Sequence, residues 1–368
     1  MSRNRLARAI ALAGSAAAMA LLIGGCGASD ADGEADPGQQ SGTSASAARP
    51  AGGHAVVLVS GLATQTPFTT NDAACTSGLA AGSSVTALRE SLIAAGYTVF
   101  SAPAQAGPGQ VTSTSGLGAS AGCPPPLPAD ITIDTTADID AGGQQLAGFL
   151  SYLHDEYGVA SADLVGHSMG GLFARAAIGD ARAEGDAVEV TSLTTLSTPW
   201  TGTYPADYAE GALPLTVCGD EPTCLQVLPD YKSKLADVEG PDGAANVIST
   251  ADLQGPTGWN VAQGDDLAGI PVTLIGGDRL TLAGGDPAVW PNDGIVAEAS
   301  ALARGISGAA LPVRACLVRP DLHTIDLAEG AGLPWTDAVT WDPEVMAAVV
   351  DAVRAARAGE WDGDRSAC

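Results

Sequence analysis

The stretch Asp163-Leu164-Val165-Gly166-His167-Ser168-Met169-Gly170-Gly171 sets a short apolar run directly before a serine that has glycines on both sides. A strand that turns sharply at a serine and continues as a helix lifts that hydroxyl to the edge of a buried sheet. The Gly-x-Ser-x-Gly pattern alone is weak, because 47 Gly and 25 Ser in 368 residues supply roughly 0.4 matches by chance. Gly118-Ala119-Ser120-Ala121-Gly122 matches equally well, but it lacks an apolar strand before it and runs into Pro124-Pro125-Pro126. Ser168 has the strand and a helical segment starting at about Met169, and is therefore the candidate nucleophile. In such a turn Gly166, Gly170 and Gly171 supply clearance where a β-carbon would strike neighbouring backbone. The helix N-terminus also brings the Met169 N–H to the place where an oxyanion would form.

A serine hydroxyl needs a base, and the chain offers four histidines. His54 opens a strand at the wrong end of the sheet. His154, in Tyr-Leu-His-Asp-Glu-Tyr, reads as part of a solvated helix face, and His167 belongs to the turn itself and is expected to point away from the serine's side. His323, in Arg-Pro-Asp-Leu-His-Thr, follows the last apolar strand by five residues and can reach back from a loop. The acid that orients it is expected between Ser168 and His323 in chain order. Asp278 stands at a strand end, Asp286 lies in Gly-Gly-Asp-Pro, and Asp293 lies in the tight turn Pro-Asn-Asp-Gly-Ile-Val. Local physics leaves Asp278 and Asp293 nearly even.

From His54 onward, short β-branched runs alternate with longer amphipathic ones. The periodicity predicts strands over 55–59, 97–101, 163–166, 188–197, 271–276 and 311–318, and helices over 84–95, 136–157, 169–183, 294–304 and 343–358. This alternation implies a mostly parallel sheet covered by helices on both faces. Two segments break it. Residues 102–130 are rich in Gly, Pro, Ser and Ala, and a loop of that length is usually functional or mobile. Residues 200–265 carry Trp200, Tyr204, Tyr208, Tyr231 and Trp259 with weak periodicity, and are expected to form an insertion that caps or walls the cleft.

The N-terminus orders Arg3, Arg5 and Arg8, an apolar run from Ile10 to Ile23, and Gly24-Gly25-Cys26, as a signal peptide does. Ile23-Gly24-Gly25-Cys26 resembles the bacterial lipobox, in which cleavage precedes a cysteine that then carries lipid. Residues 1–25 are thus read as a signal peptide and residues 26–53 as a lipidated tether, since their Gly, Ala, Ser and Asp content cannot bury enough apolar surface to fold. Residues 54–368 form one α/β domain. Setting Cys26 aside, Cys75, Cys123, Cys218, Cys224, Cys316 and Cys368 make an even set, which in an exported chain suggests three disulfides. Chain order favours Cys75–Cys123, Cys218–Cys224 and Cys316–Cys368. Loss of the three signal-peptide arginines takes the formal charge from −26 to −29, a surface that repels nucleic acid and anionic membranes.

Together, Gly-His-Ser-Met-Gly-Gly (166–171), Leu-Ser-Thr-Pro-Trp-Thr-Gly-Thr (196–203), Asn-Asp-Gly-Ile-Val (292–296) and Asp-Leu-His (321–323) resemble the α/β-hydrolase superfamily. The resemblance is to its bacterial lipase and esterase branch and covers about residues 54–358. It implies that the acid is Asp293, because that branch carries its acid in an Asn-Asp-Gly-x-Val turn. It also implies an oxyanion hole of the Met169 N–H and the Leu62 N–H. Here the sequence departs from the pattern: Ser60-Gly61-Leu62 stands where the family has His-Gly-x, and Trp200 stands where the related turn has a His. A backbone donor survives the first change. Some such lipases hold calcium near the histidine, and the acidic loop from Asp278 to Asp293 is a candidate for it, although it lacks a dedicated ligand spacing and no cofactor is otherwise expected.

These readings converge on a serine hydrolase of carboxylic esters or lipids, lipid-anchored outside the cell. Acyl transfer to a lipid or wall glycan would use the same triad. A non-catalytic binding lipoprotein would have kept the fold without needing the intact Ser, His and Asp.

Overall fold

Val159–His167 (β5) is long because it is paired on both sides, parallel to Gly53–Val59 (β1) on one edge and to Glu189–Leu196 (β6) on the other. In the computed structural model, which describes residues 53–72, 84–111, 124–185, 187–238, 248–308 and 310–360, these strands join Thr98–Ser101 (β2), Val272–Gly277 (β7) and Val313–Arg319 (β8). The sheet order is β2-β1-β5-β6-β7-β8 and every pairing is parallel. The chain therefore winds outward from β1 to β2, returns to β5 on the other side of β1, and continues to β8. The reversal makes a topological switch point between the carboxyl ends of β1 and β5, where open parallel sheets place their ligand crevice.

Side-chain alternation sorts β1 between two layers. Ala55, Val57 and Val59 pack with Ile139–Tyr157 (α2) and Gly170–Glu184 (α3), through Leu146, Phe149, Leu150, Leu172 and Phe173. Val56 and Leu58 face the other way, onto Leu88 and Leu92 of Thr86–Ala94 (α1) and Val345, Val349 and Val353 of Pro343–Ala358 (α10). Each fully buried Leu, Val or Phe contributes about 1.5–3 kcal/mol, so both faces must be covered for the sheet to persist. Asp138 caps α2 through the Ala141 N–H and Gly158 ends it at φ 68°, while Asp342 and Gly359 bound α10 in the same manner. This is the mostly parallel sheet with helices on both faces that the α/β-hydrolase resemblance implies.

The structure differs from expectation in three places. The loop 102–130 contributes a two-residue strand, Ala104–Gln105 (β3), paired in parallel with Ile133–Asp134 (β4), and its residues 112–123 lie outside the described residues. The helix expected over 294–304 shrinks to Glu298–Ala301 (α8), because residues 293–296 are held in a turn by the Asp293 side chain and Gly294 sits at φ 101°. The segment between β6 and β7 holds helices that weak periodicity did not reveal: Tyr204–Ala209 (α4), Pro222–Val238 (α5), Thr250–Gln254 (α6) and Trp259–Ala262 (α7). Its first half packs Tyr204, Cys218, Cys224 and Leu228 on Val289 and Trp290 of the acidic loop. Its second half runs along the α2 and α3 flank, where Trp259 Nε1 donates to Asp140 and Arg175 donates to Asn260.

Cys218 and Cys224 form a buried disulfide. Cys26, Cys75, Cys123 and Cys368 lie outside the described residues, as do the signal peptide and the tether. Ile325–Gly330 (α9) completes the helices and starts two residues after His323.

Candidate active site

The turn after β5 brings the partly buried Ser168 to the switch point with φ 56°, a left-handed conformation that costs a non-glycine residue on the order of 1–3 kcal/mol. Its surroundings hold it there. The Ser168 N–H donates to Leu196 O at 2.9 Å, and Ser168 O accepts from the Thr198 hydroxyl at 2.8 Å. A β-carbon on Gly170 would drive into the carbonyl of Val59, and one on Gly61 would lie 2.6 Å from Ser168 Cβ. Glycine at both positions is what lets the ends of β1 and β5 close on each other.

Ser168 Oγ lies 3.0 Å from His323 Nε2, and His323 Nδ1 lies 2.8 Å from Asp293 Oδ2. His323 leaves β8 on a braced loop: its N–H donates to Asp293 O at 2.8 Å and the neighbouring Leu322 N–H to Asp337 O at 2.8 Å. Thr324 then caps α9 through the Leu327 N–H. Asp293 is fully buried, and its Oδ1 accepts the N–H groups of Ile295 at 3.0 Å and Val296 at 2.7 Å. Burial pushes its pKa up, but the charge and hydrogen bond of His323 and the Val296 N–H outweigh it and hold the carboxyl below its ordinary range. The buried Ser197 hydroxyl nearby helps without reaching hydrogen-bond geometry. An ionised Asp293 requires the proton on His323 Nδ1, which leaves Nε2 to accept from Ser168.

The other sequence candidates stand elsewhere. Asp278, at the end of β7, has its N–H on Arg319 O, and burial raises its carboxyl without bringing it to His323. Asp286 is exposed and caps Ala288. His54, at the start of β1, pairs with Asp163 at the opposite end of the sheet from the loops. His154, partly exposed near the end of α2, has its Nδ1 3.0 Å from Val159 O, where β5 begins. The N–H groups of Met169 and Leu62 have no acceptor among the described residues, and Gly61, next to Leu62, sits close to Met169 N. Met169 precedes the first residue of α3, so its N–H points along the positive end of that helix. Among the described residues no group of three or more His, Cys, Asp or Glu side chains is placed to hold a metal ion, the acidic loop 278–293 included.

Three supporting residues escaped the sequence. Tyr204 donates its hydroxyl to Gly294 O at 2.7 Å and lies 3.2 Å from Asn292 Oδ1. Asn292 is fully buried, and its amide bonds Val289 O and the Gly294 N–H within the same turn. His167 does not point away from the site. Its ring packs 4.8 Å from that of His323, centroid to centroid, and its Nε2 lies 3.0 Å from His323 O. The elbow turns so sharply that the residue before the serine meets the loop carrying the histidine. The Asn292-Asp293-Gly294 run was the available signal for the turn; nothing local marked Tyr204 or His167.

Residues 130–210 match the family described as "Putative serine esterase (DUF676)", a span that holds Ser168 and stops before Asp293 and His323. Among solved structures the chain is similar to the lipase BlEst2 of Bacillus licheniformis in its propeptide form, at 16% identity and a TM-score of 0.43, over 74% of this chain and 47% of that one. It thus spans about half the length of that protein. It is also similar to an esterase of Pyrobaculum calidifontis, at 14% identity and a TM-score of 0.43, over 84% of this chain and 78% of that one. A third is Est1E of Butyrivibrio proteoclasticus with ferulic acid bound, at 14% identity and a TM-score of 0.41, over 84% and 90%. No curated protein matches the chain.

Proposed function

We propose that the protein is a serine hydrolase acting on carboxylic esters, of the esterase or lipase kind. The observation that carries this reading is the unbroken hydrogen-bonded chain from partly buried Ser168 through His323 to fully buried Asp293, built on a strained elbow at the switch point. His323 Nε2 takes the Ser168 proton as Oγ attacks the ester carbonyl. The N–H groups of Met169 and Leu62 hold the oxyanion of the tetrahedral intermediate. His323, now an imidazolium stabilised by Asp293, returns the proton to the departing alcohol and leaves an acyl-serine. Water activated by the same histidine then releases the acid. The match of residues 130–210 to a serine esterase family supports the nucleophile's part of this reading.

On the same proposal the chain is exported and tethered through a lipidated Cys26 to the outer face of a membrane. The Cys218–Cys224 disulfide supports an oxidising compartment. The central test is a chain-length series of nitrophenyl esters on the protein and on Ser168→Ala. Turnover is expected in the first and not the second, and undiminished turnover in Ser168→Ala would sink the reading. The chain-length optimum separates a lipase from a short-chain esterase.

A further inference from the structure

We propose that His167 is a positioning residue for His323: its Nε2–H holds the His323 carbonyl while its ring supports the neighbouring imidazole, so that His323 Nε2 stays on Ser168 Oγ. The inference rests on the hydrolase reading above and goes beyond the triad. His323 sits on a loop rather than on a strand or helix, so its placement depends on the bonds that reach it. Its N–H is tied to Asp293 O, and its carbonyl is tied to His167. His167 is the last residue of β5 and the immediate neighbour of Ser168. One strand end therefore carries both the nucleophile and the clamp on its base, and motion of the strand moves the two together.

The chemistry of His167 suits this task. Its partner is a carbonyl, which only accepts, so the proton sits on Nε2 and the ring is a neutral donor. Nδ1 is buried without a partner. Burial, and then the proximity of His323, lower its pKa to about 3. A ring that stays neutral can lie against His323 without opposing the positive charge that His323 gains during turnover. A lysine or arginine there would oppose it.

The test compares His167→Gln and His167→Asn with the wild-type protein and Ser168→Ala. Both substitutes are amides, but only the Gln side chain carries its N–H about as far as His Nε2. Misplacing a reacting group by about 1 Å costs on the order of 100-fold, so Asn is expected to lower kcat by about 30- to 100-fold with KM within about twofold, while Gln restores kcat to within about fivefold. The His323 Nδ1–H resonance, shifted downfield by its carboxylate partner, gives a readout independent of turnover. It is expected to persist in wild type, in Ser168→Ala and in His167→Gln, and to broaden or vanish in His167→Asn. Equal kcat and equal resonances in the two amide variants would overturn the positioning role. Absence of ester turnover in the wild type, with the resonance still lost only in Asn, would overturn the substrate reading and leave the clamp standing.

Discussion

The Tyr204 hydroxyl donates to the carbonyl of Gly294 across 2.7 Å, joining the segment between β6 and β7 to the turn that carries Asp293. Tyr204 is 2% exposed, and burial raises its pKa well above the ordinary phenol value, so the proton stays in place to be donated. The segment is thereby a brace for the acid turn. Removing one partner of a buried hydrogen bond strands the other at a cost of about 1–3 kcal/mol. Tyr204→Phe is expected to lower stability by that amount in denaturant titration and kcat by about threefold to tenfold through a looser Asp293.

Asp293 and Asp278 are separated by a paired substitution. In a triad the acid holds the histidine tautomer, and its amide replacement lowers kcat by about 10⁴ in the best-studied case. Asp293→Asn is expected to approach that loss in steady-state ester hydrolysis. Asp278→Asn is expected to stay within about threefold of wild type, since Asp278 makes no bond to His323. Equal losses in the two variants would remove Asp293 from the proposed role.

Gly61 and Gly170 govern the closure of β1 on the elbow. A methyl at Gly61 would lie 2.6 Å from Ser168 Cβ and 3.0 Å from Met169 N, the group proposed to receive the oxyanion. Gly61→Ala is expected to lower kcat about 100-fold by displacing that donor. Gly170→Ala pushes a methyl into backbone that cannot swing aside, and overpacking of this kind costs about 1–3 kcal/mol or more. Its effect is expected chiefly as a lower melting temperature.

Two buried aspartates give stability opposite dependences on pH. Burial opposes ionisation of Asp163, but hydrogen bonds from His54, Ser192, Arg357 and Thr191 prevail and depress its pKa. Its contribution is full above the unfolded value of about 3.9 and is lost as pH falls through the depressed folded value. Asp321 is the reverse: burial, then the charge of Asp342, push it up to about 8, with Asp337 adding to the rise and Arg319 opposing it. Its contribution is full below about pH 3.9 and is lost as pH rises toward 8. Melting curves from pH 3 to 9 are expected to show Asp163→Asn flattening the acid limb. Asp321→Asn is expected to remove the decline between about pH 4 and 8.

Much of the fold was legible because its signals are local. The buried runs of β1, β5 and β7, the capped helices α2 and α10, and the strand-turn-helix around Ser168 each declare themselves within a dozen residues. Capping and periodicity are short-range physics, so α10 was expected over 343–358 and occupies those residues. Three of the helices of residues 204–262 were missed because they are four to six residues long, and α5 because Pro229 interrupts its helical signal. The helix expected from Gly294 failed because Gly294 sits at φ 101°, outside the right-handed helical region, and the Asp293 N–H is bonded to Val296 O across the turn.

The sequence by itself determined the class of the protein's architecture, the serine that the elbow presents, and, by elimination among four histidines, the one that could reach it. Its local physics left Asp278 and Asp293 even, only the family resemblance favoured Asp293, and it turned His167 the wrong way. Only the tertiary structure shows that Asp293 bonds His323 and that His167 packs beside it, because these contacts depend on which chain ends meet. Ser168 and His323 are 155 residues apart, His167 and the carbonyl it bonds are 156 apart, and Tyr204 reaches across 90 residues to Gly294. No local propensity encodes such distances. They follow from the parallel order β1-β5-β6-β7-β8, which gathers the carboxyl ends of five strands along one edge and lets loops far apart in sequence share a site.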